Sequence, residues 1–305
     1  MTTMRRRFRW LALVAVILWG LGSLLLWRGQ GRHNRLDWDL ATQYPPEQPF
    51  QPGEIFASTL IAIMEHELHD GFGWRPNDFF LWGPRLWADN NASRQLGILQ
   101  ALRESLRVFK DHLTKVSSNE YDPDLLEADT LFRNDAERFW LPSAESRFTK
   151  GVERLRAYVA GLRHNSPRSR PITTRNVELV RLFQAWSDLL GDAHASLYKE
   201  QEADGSSVWF RTDNYFYHAQ GCAHVQHALL LALKREYHQL LAVKPVMQTL
   251  FDEAAQALEK ASLMNPFVIL NGSPSGVFAN HRRNLDAYII EARQKMYSIR
   301  EELEK

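Results

Sequence analysis

An uncharged apolar run of 18 residues, WLALVAVILWGLGSLLLW from Trp10 to Trp27, limits what this chain can become more than any other feature. As a helix rising about 1.5 Å per residue it is roughly 27 Å long, close to the hydrocarbon thickness of a bilayer. Trp10 and Trp27 fall at its ends, where amphipathic rings favour the membrane interfaces. Arg5, Arg6, Arg7 and Arg9 precede the run, whereas Arg28, Arg32 and Arg35 are spread more thinly after it and are soon followed by Asp37 and Asp39. That asymmetry assigns residues 1–9 to a cytoplasmic arm, residues 10–27 to a transmembrane helix and, in a bacterium, the remainder to the periplasm. A cleaved signal would use Gly20, Gly22 or Ser23, but the apolar core continues through Leu24, Leu25 and Leu26 to Trp27, past the point where such a core ends. The expectation is an uncleaved, single-pass signal anchor in the inner membrane, with the bilayer as the partner of Trp10 to Trp27.

The anchor also distorts the charge balance. The whole chain is near neutral at +1, yet residues 1–35 hold seven arginines and no acid, which leaves thirty basic against 36 acidic residues beyond them, a net of −6. Such a body offers no electrostatic footprint for nucleic acid, and its basic excess faces the anionic headgroups. Cys222 is the single cysteine, so no internal disulfide can form and stability has to come from a packed core. With 45% hydrophobic residues the chain can build one.

Residues 28–53 are polar and punctuated by Pro45, Pro46, Pro49 and Pro52, and read as a linker that lifts the body off the membrane. Helical periodicity dominates thereafter. Leu99, Leu102, Leu106, Phe109, Leu113 and Val116 alternate steps of three and four, and Phe148, Val152, Leu155, Val159 and Leu162 repeat that rhythm after Ser143, an N-cap residue; these two helices are expected to pack on each other. Further helices are predicted over 54–70, 123–134, 174–200, 213–242, 245–264 and 276–303, with Pro123 and Pro245 in first turns. The expected fold class is all-α: an N-terminal single transmembrane helix followed by a multi-helix periplasmic bundle in 54–305, any division into two docked helical subdomains falling near 165–172.

The stretch GFGWRPNDFFLWGPRLWADNNASRQLGILQALRESLRVFKDHL, then DPDLLEADTLF and FWLPSAESRFTKGVERLRAYV, resembles the uncharacterised bacterial membrane-anchored family catalogued as the domain of unknown function numbered two thousand three hundred and thirty-three. The likeness is strongest between Gly71 and Leu162, with YFYHAQGCAHVQHALLLAL as a weaker match. It implies a single-pass inner-membrane protein of Gram-negative bacteria, and offers no activity, cofactor or catalytic residue to carry over to this chain.

Two constellations invite a chemical reading. Between Gly71 and Asn91, a segment read as interhelical, Trp74, Phe79, Phe80, Trp82 and Trp87 are interleaved with Arg75, Asn77, Asp78, Asp89 and Asn90. Tryptophan faces stack on sugars or grip a partner while asparagine and aspartate give directional hydrogen bonds, so the segment reads either as a recognition surface or as an aromatic plug with capping residues. Separately, His66 and His69 share one helical face and His224 and His227 share another. Four imidazoles from facing helices suit zinc or another transition metal, with Glu65, Glu67, Asp70 or His218 completing or orienting the shell, although neither HExxH nor the Glu-x-x-His pairs of di-iron bundles are present.

Nucleophilic chemistry has less behind it. In NGSPSG, Asn271 to Gly276, the nucleophile position of GxSxG is Pro274, which makes the stretch a turn. Cys222 lies in an apolar helix as a small core residue, and Asp122, Asp124, Glu127 and Asp129 of DPDLLEAD could supply a glycosidase-like acid and nucleophile, though Asp122 before Pro123 is more simply a helix cap. The leading expectation is a non-enzymatic binding or scaffold protein of the cell envelope, requiring no cofactor and using Trp74, Arg75, Asn77, Asp78, Trp82, Trp87, Asp89 and Asn90 to meet an envelope protein or cell-wall component. A membrane-tethered metal-dependent enzyme built on His66, His69, His224 and His227 is its rival, and a homo-oligomeric scaffold is a third reading.

Overall fold

The computed structural model describes residues 2–45, 47–78, 85–114, 120–172, 176–201, 205, 211–266, 268–272 and 279–305. Among them every regular element is helical: α1 (Thr2–His33), α2 (Leu40–Gln43), α3 (Glu54–His69), α4 (Arg85–Val108), a π-helical turn (Phe109–Leu113), α5 (Pro123–Phe132), α6 (Ala144–Arg163), α7 (Asn176–Tyr198), α8 (Thr212–Glu236), α9 (His238–Val243), α10 (Pro245–Leu263) and α11 (His281–Glu304). One isolated antiparallel bridge joins Asn271 to Asn280.

Local chemistry sets several of these ends. Asp122 accepts from the amides of Asp124 and Leu125 and places Pro123 in the first turn of α5; Ser143 accepts from Ser146 N at the start of α6; Pro245 opens α10. Asn280 accepts from Arg283 N and starts α11 later than the expected residue 276. The helix expected over 213–242 is interrupted at Tyr237, which divides α8 from α9. The segment up to Asn91, read as interhelical, is already helical from Arg85.

The chain reverses repeatedly, and its ion pairs and ring contacts fix the directions. Glu54 and Glu65 of α3 pair with Arg163 and Arg156 of α6, so these helices are antiparallel. Arg94 of α4 meets Glu67 near the C-terminus of α3, while Phe109 stacks on Phe56 near its start, centroids 4.9 Å apart, so α4 also opposes α3. α6 lies on α5 and α3 rather than along the α4 stripe as expected, and reaches that stripe's end where Tyr158 meets Phe109 edge-on at 5.7 Å. The hydrophobic core runs from Phe56 to Leu303 and takes residues from both sides of 165–172, with Ile172 itself buried in it.

Of the stretch 28–53 expected as a tether, residues 34–45 and 47–53 instead lie against the body. Asn34 and Tyr44 are buried, and Trp38, Leu40 and Phe50 pack around Tyr44, Ile55 and Ala232. Tyr44 Oη donates to Ser58 Oγ at 2.7 Å, and Arg235 donates to the carbonyls of Tyr44 and Pro45. Apolar residues interleaved with the prolines gain more from burial than the segment loses by ordering. α1 stands apart: from Arg7 to Leu21 every residue is exposed, including Leu11 at 68% and Leu18 at 62%. Among the described residues no helix is long and apolar enough to cross a membrane, and the side chains of Ser23, Leu26 and Trp27, which complete the apolar run, lie outside the described residues.

Glu236, the last residue of α8, caps α3 from a distance. Its carboxylate accepts from Gly53 N at 2.9 Å and Phe56 N at 2.8 Å, supplying the cap that Gly53, at φ 93°, cannot give. That φ lies in the left-handed region where glycine is favoured. Burial pushes the Glu236 carboxyl up to about 7, against the opposing pull of the Phe56, Gly53 and Ile55 amides. Folded protein therefore holds this proton after the unfolded chain has released it, so stability is expected to fall as pH rises from about 4.5 to 7. Glu236→Gln should flatten that slope in urea midpoints measured across this range.

Candidate functional site

Where α1 enters the body, a buried polar network gathers around Glu67, whose side chain is fully enclosed in the last turns of α3. Arg94, equally enclosed on α4, places Nη1 3.1 Å from Glu67 Oε1; Gln95 donates to Oε2 at 3.0 Å; His33 Nε2 lies 3.2 Å from the same oxygen. Burial by itself would raise the Glu67 carboxyl, but the His33 hydrogen bond and the charges of Arg94, His33 and His66 outweigh it and bring it down to about 2. Burial of Arg94 lowers its own pKa while Glu67 counters that shift, so each charge depends on the other.

The same network closes on α1. His33 and His66 rings stack with centroids 4.4 Å apart, and His66 Nε2 lies 2.8 Å from the His33 carbonyl while Nδ1 lies 2.8 Å from Asp70 Oδ2. Arg94 Nη2 donates to the Asn34 carbonyl, Asn34 Nδ2 to Gln220 Oε1, and Gln220 in turn to the Met264 carbonyl. Three elements, α3, α4 and α8, thus grip the two residues at the root of α1, and Gln220 ties this grip to the end of α10. His33, Asn34, Arg94, Gln95 and Gln220 were not singled out in the sequence, because each sits in an ordinary polar or helical context and only the tertiary fold brings them together.

The two histidine pairs do not converge. His66 and His69 line a groove of ≈ 840 Å³ between α3, α6 and residues 36–44, while His224 and His227 line a second cavity of ≈ 340 Å³ with Glu259; Leu36 and Trp38 form part of both walls. Burial depresses the pKa values of His218, His224 and His227, the nearby Arg94 charge adding to the effect at His224. Among the described residues His224 Nε2 has no hydrogen-bond partner. Among the described residues His33, His66 and Glu67 form a group whose ligand-type atoms lie within 4.8 Å of one another. As a metal shell that trio is poorly suited, since Arg94 already neutralises Glu67 and both His66 nitrogens face oxygen acceptors.

The aromatic segment divides. Trp74 is buried, donates through Nε1 to the Ala136 carbonyl at 2.9 Å and meets Phe148 edge-on at 5.1 Å. Arg75 is buried beside Asp78, and Asn77 Nδ2 donates to the Arg138 carbonyl and to Glu145. These residues tie the chain after α3 to the start of α6 and present no open surface at Trp74, Arg75 or Asn77. Asn90 is half-buried on α4; Trp82 and the side chains of Trp87 and Asp89 lie outside the described residues. Trp74→Phe should cost about 1–2 kcal/mol by leaving the Ala136 carbonyl without its donor, a loss that denaturant titration would read directly.

The remaining candidates are occupied or inert. Asp122 also accepts from Arg170 N, Asp124 and Glu127 pair with Arg154, and Asp129 pairs with Lys110 and Arg133. Cys222 is enclosed, with its thiol pushed up to about 12 by burial, the reverse of an activated nucleophile. Residues 273–278, which hold the serines of NGSPSG, lie outside the described residues.

The chain belongs to the family described as "Uncharacterized protein conserved in bacteria (DUF2333)", whose profile matches residues 8–197 and 172–305. No curated protein and no solved structure matches it.

Proposed function

We propose that this family member is a single-pass inner-membrane protein whose helical body lies in the periplasm and works as a non-enzymatic binding or scaffold protein of the envelope. The observation that carries the reading is α1. Its apolar side chains are exposed on every face, Phe8 at 73%, Trp10 at 59%, Val16 at 63% and Leu25 at 70% among them. A helical run apolar all round is stable when lipid or protein surrounds it, and among the described residues no other part of the chain covers the stretch from Arg7 to Leu21. The Glu67 network then serves as a latch that fixes the anchor to the body. The ≈ 840 Å³ groove beside it, with Trp38, Tyr44, His69 and Arg156 in its walls, offers an envelope protein or cell-wall component a place to dock.

Membrane fractions washed with alkaline carbonate should retain the protein, and an alkaline phosphatase fused after Lys305 should be active. Release by carbonate, or an inactive fusion at normal expression, would overturn the placement. In vivo crosslinking from Arg156 and His69 should capture one reproducible partner, and the same adducts formed from Val246, in the first turn of α10 at the opposite end of that helix from Met264 and the Gln220 contact, would remove the groove from consideration. The rival metal-enzyme reading rests on His66, His69, His224 and His227, which line separate cavities, and among the described residues the group with ligand-type atoms close together is His33, His66 and Glu67. Elemental analysis of untagged protein is expected to find metal well below one equivalent per chain, and a full equivalent would revive it.

A further inference from the structure

The way α1 joins the body sets how far the body stands from the bilayer, given the anchor proposed above. α1 runs unbroken to His33, and His33 is held by Glu67 and stacked on His66. Residues 28–33 alone separate Trp27 from that docked end, roughly 9 Å of helix. The headgroup layer is itself about 5–7 Å deep on each side. The anchor-side end of the body therefore rests at the headgroups, with no free tether to lift it.

That end carries three exposed apolar loops. Phe72, 57% exposed, follows α3 beside the root of α1, where a Cβ on Gly71 would lie 3.2 Å from His33 Nδ1. Phe139, Trp140 and Leu141, at 52%, 77% and 88%, precede α6, whose start is tied to the chain after α3 by Asn77 and Glu145. Val268 and Leu270, at 55% and 38%, follow α10, whose end meets Asn34 through Gln220 and Met264. Arg28, Arg32 and Arg35 are exposed at the same level. Apolar tips flanked by cations, at the end from which the apolar run of α1 departs, match the layered chemistry of a phospholipid surface.

We propose that these loops enter the interfacial layer of the bilayer, so that the body is docked on an anionic phospholipid surface rather than suspended above it. α1 supplies the attachment and the loops supply the orientation, which turns the groove lined by His69 and Arg156 toward a fixed height above the membrane.

The test uses the full chain in lipid nanodiscs containing anionic phospholipid, with an environment-sensitive fluorophore on single introduced thiols. Unsubstituted protein serves as the blank, because Cys222 is enclosed. Trp140→Cys and Val268→Cys should both show blue-shifted emission quenched by lipid brominated along its acyl chains. Val246→Cys, 62% exposed at the far end of the body, should stay aqueous. Val16→Cys in α1 reports the anchor separately. Quenching there with aqueous emission at one or both loops overturns docking and leaves the anchor standing; no quenching at Val16→Cys overturns the anchor and docking together. A blue shift at the loops without quenching means that protein covers them, as in a second copy, and also overturns the proposal.

Discussion

Arg94→Ala is expected to destabilise the body by about 3–5 kcal/mol, the usual consequence of removing one partner from a buried ion pair. For a body of this size that is a fall in melting temperature of roughly 10 °C. The cause is less the lost attraction than what stays behind. Glu67 would remain enclosed with His33 and Gln95 as its donors, and the Asn34 carbonyl would lose the Arg94 Nη2 hydrogen bond as well. Arg94→Lys should recover little, because one ammonium cannot reach Glu67 and Asn34 in the forked geometry that a guanidinium provides. Pairing Arg94→Leu with Glu67→Leu should cost less than Arg94→Ala alone, since no charge is then left buried. A double variant no better than the single would locate the energy elsewhere.

The same pair sets an acid limb. Glu67 is held at about 2 when folded against an ordinary value of 4.5, so its contribution is complete above about 4.5 and disappears as pH falls towards 2. Glu236 acts in the opposite sense above 4.5, which predicts a stability maximum on the acid side of neutrality. Arg94→Ala should shallow the acid limb and leave the Glu236 slope in place, a separation that pH-resolved denaturation can see.

What was readable from sequence follows the range of the interactions. The starts of α5, α6 and α10 are set by Asp122 with Pro123, by Ser143 and by Pro245, residues that act within one helical turn, and they fall where the sequence places them. The stripe from Leu99 to Leu113 correctly announces a buried face but not its neighbour: α4 packs chiefly on α8. The latch was not legible. Glu67 draws His33 from 34 residues away, Arg94 from 27, and Asn34 reaches Gln220 across 186, and nothing local marks such residues as partners. The proline-rich stretch misleads for a related reason. Its composition is that of a linker, yet Trp38, Tyr44 and Phe50 are spaced to settle on α3 and α8, and the burial of Tyr44 with the partial burial of the other two rings outweighs the prolines' signal.

Gly97→Ala and Gly221→Ala should each destabilise by about 3 kcal/mol, against the gain of about 1 kcal/mol that helix propensity alone predicts for glycine to alanine. The two glycines face each other's helices across the α4–α8 contact. A Cβ on Gly97 would lie 2.0 Å from the His218 carbonyl oxygen, and one on Gly221 would lie 2.1 Å from the Arg94 carbonyl oxygen and 2.8 Å from Ile98 N. Backbone has no rotamer with which to yield, so α4 and α8 must move apart along their length. That movement would strip the contact between Cys222 Sγ and the Gly97 carbonyl at 3.4 Å and carry Arg94 away from Glu67. The effects should therefore not add with Arg94→Ala, because both damage one network. Gly29→Ala, whose new methyl would meet nothing within 4 Å, supplies the contrast and should be neutral or mildly stabilising. A separation of α4 from α8 would also loosen the grip on Asn34, so protease cleavage after Arg35 should accelerate in Gly97→Ala and not in Gly29→Ala. Unchanged cleavage in a destabilised Gly97→Ala would mean that the helix contact holds the core together without holding the anchor.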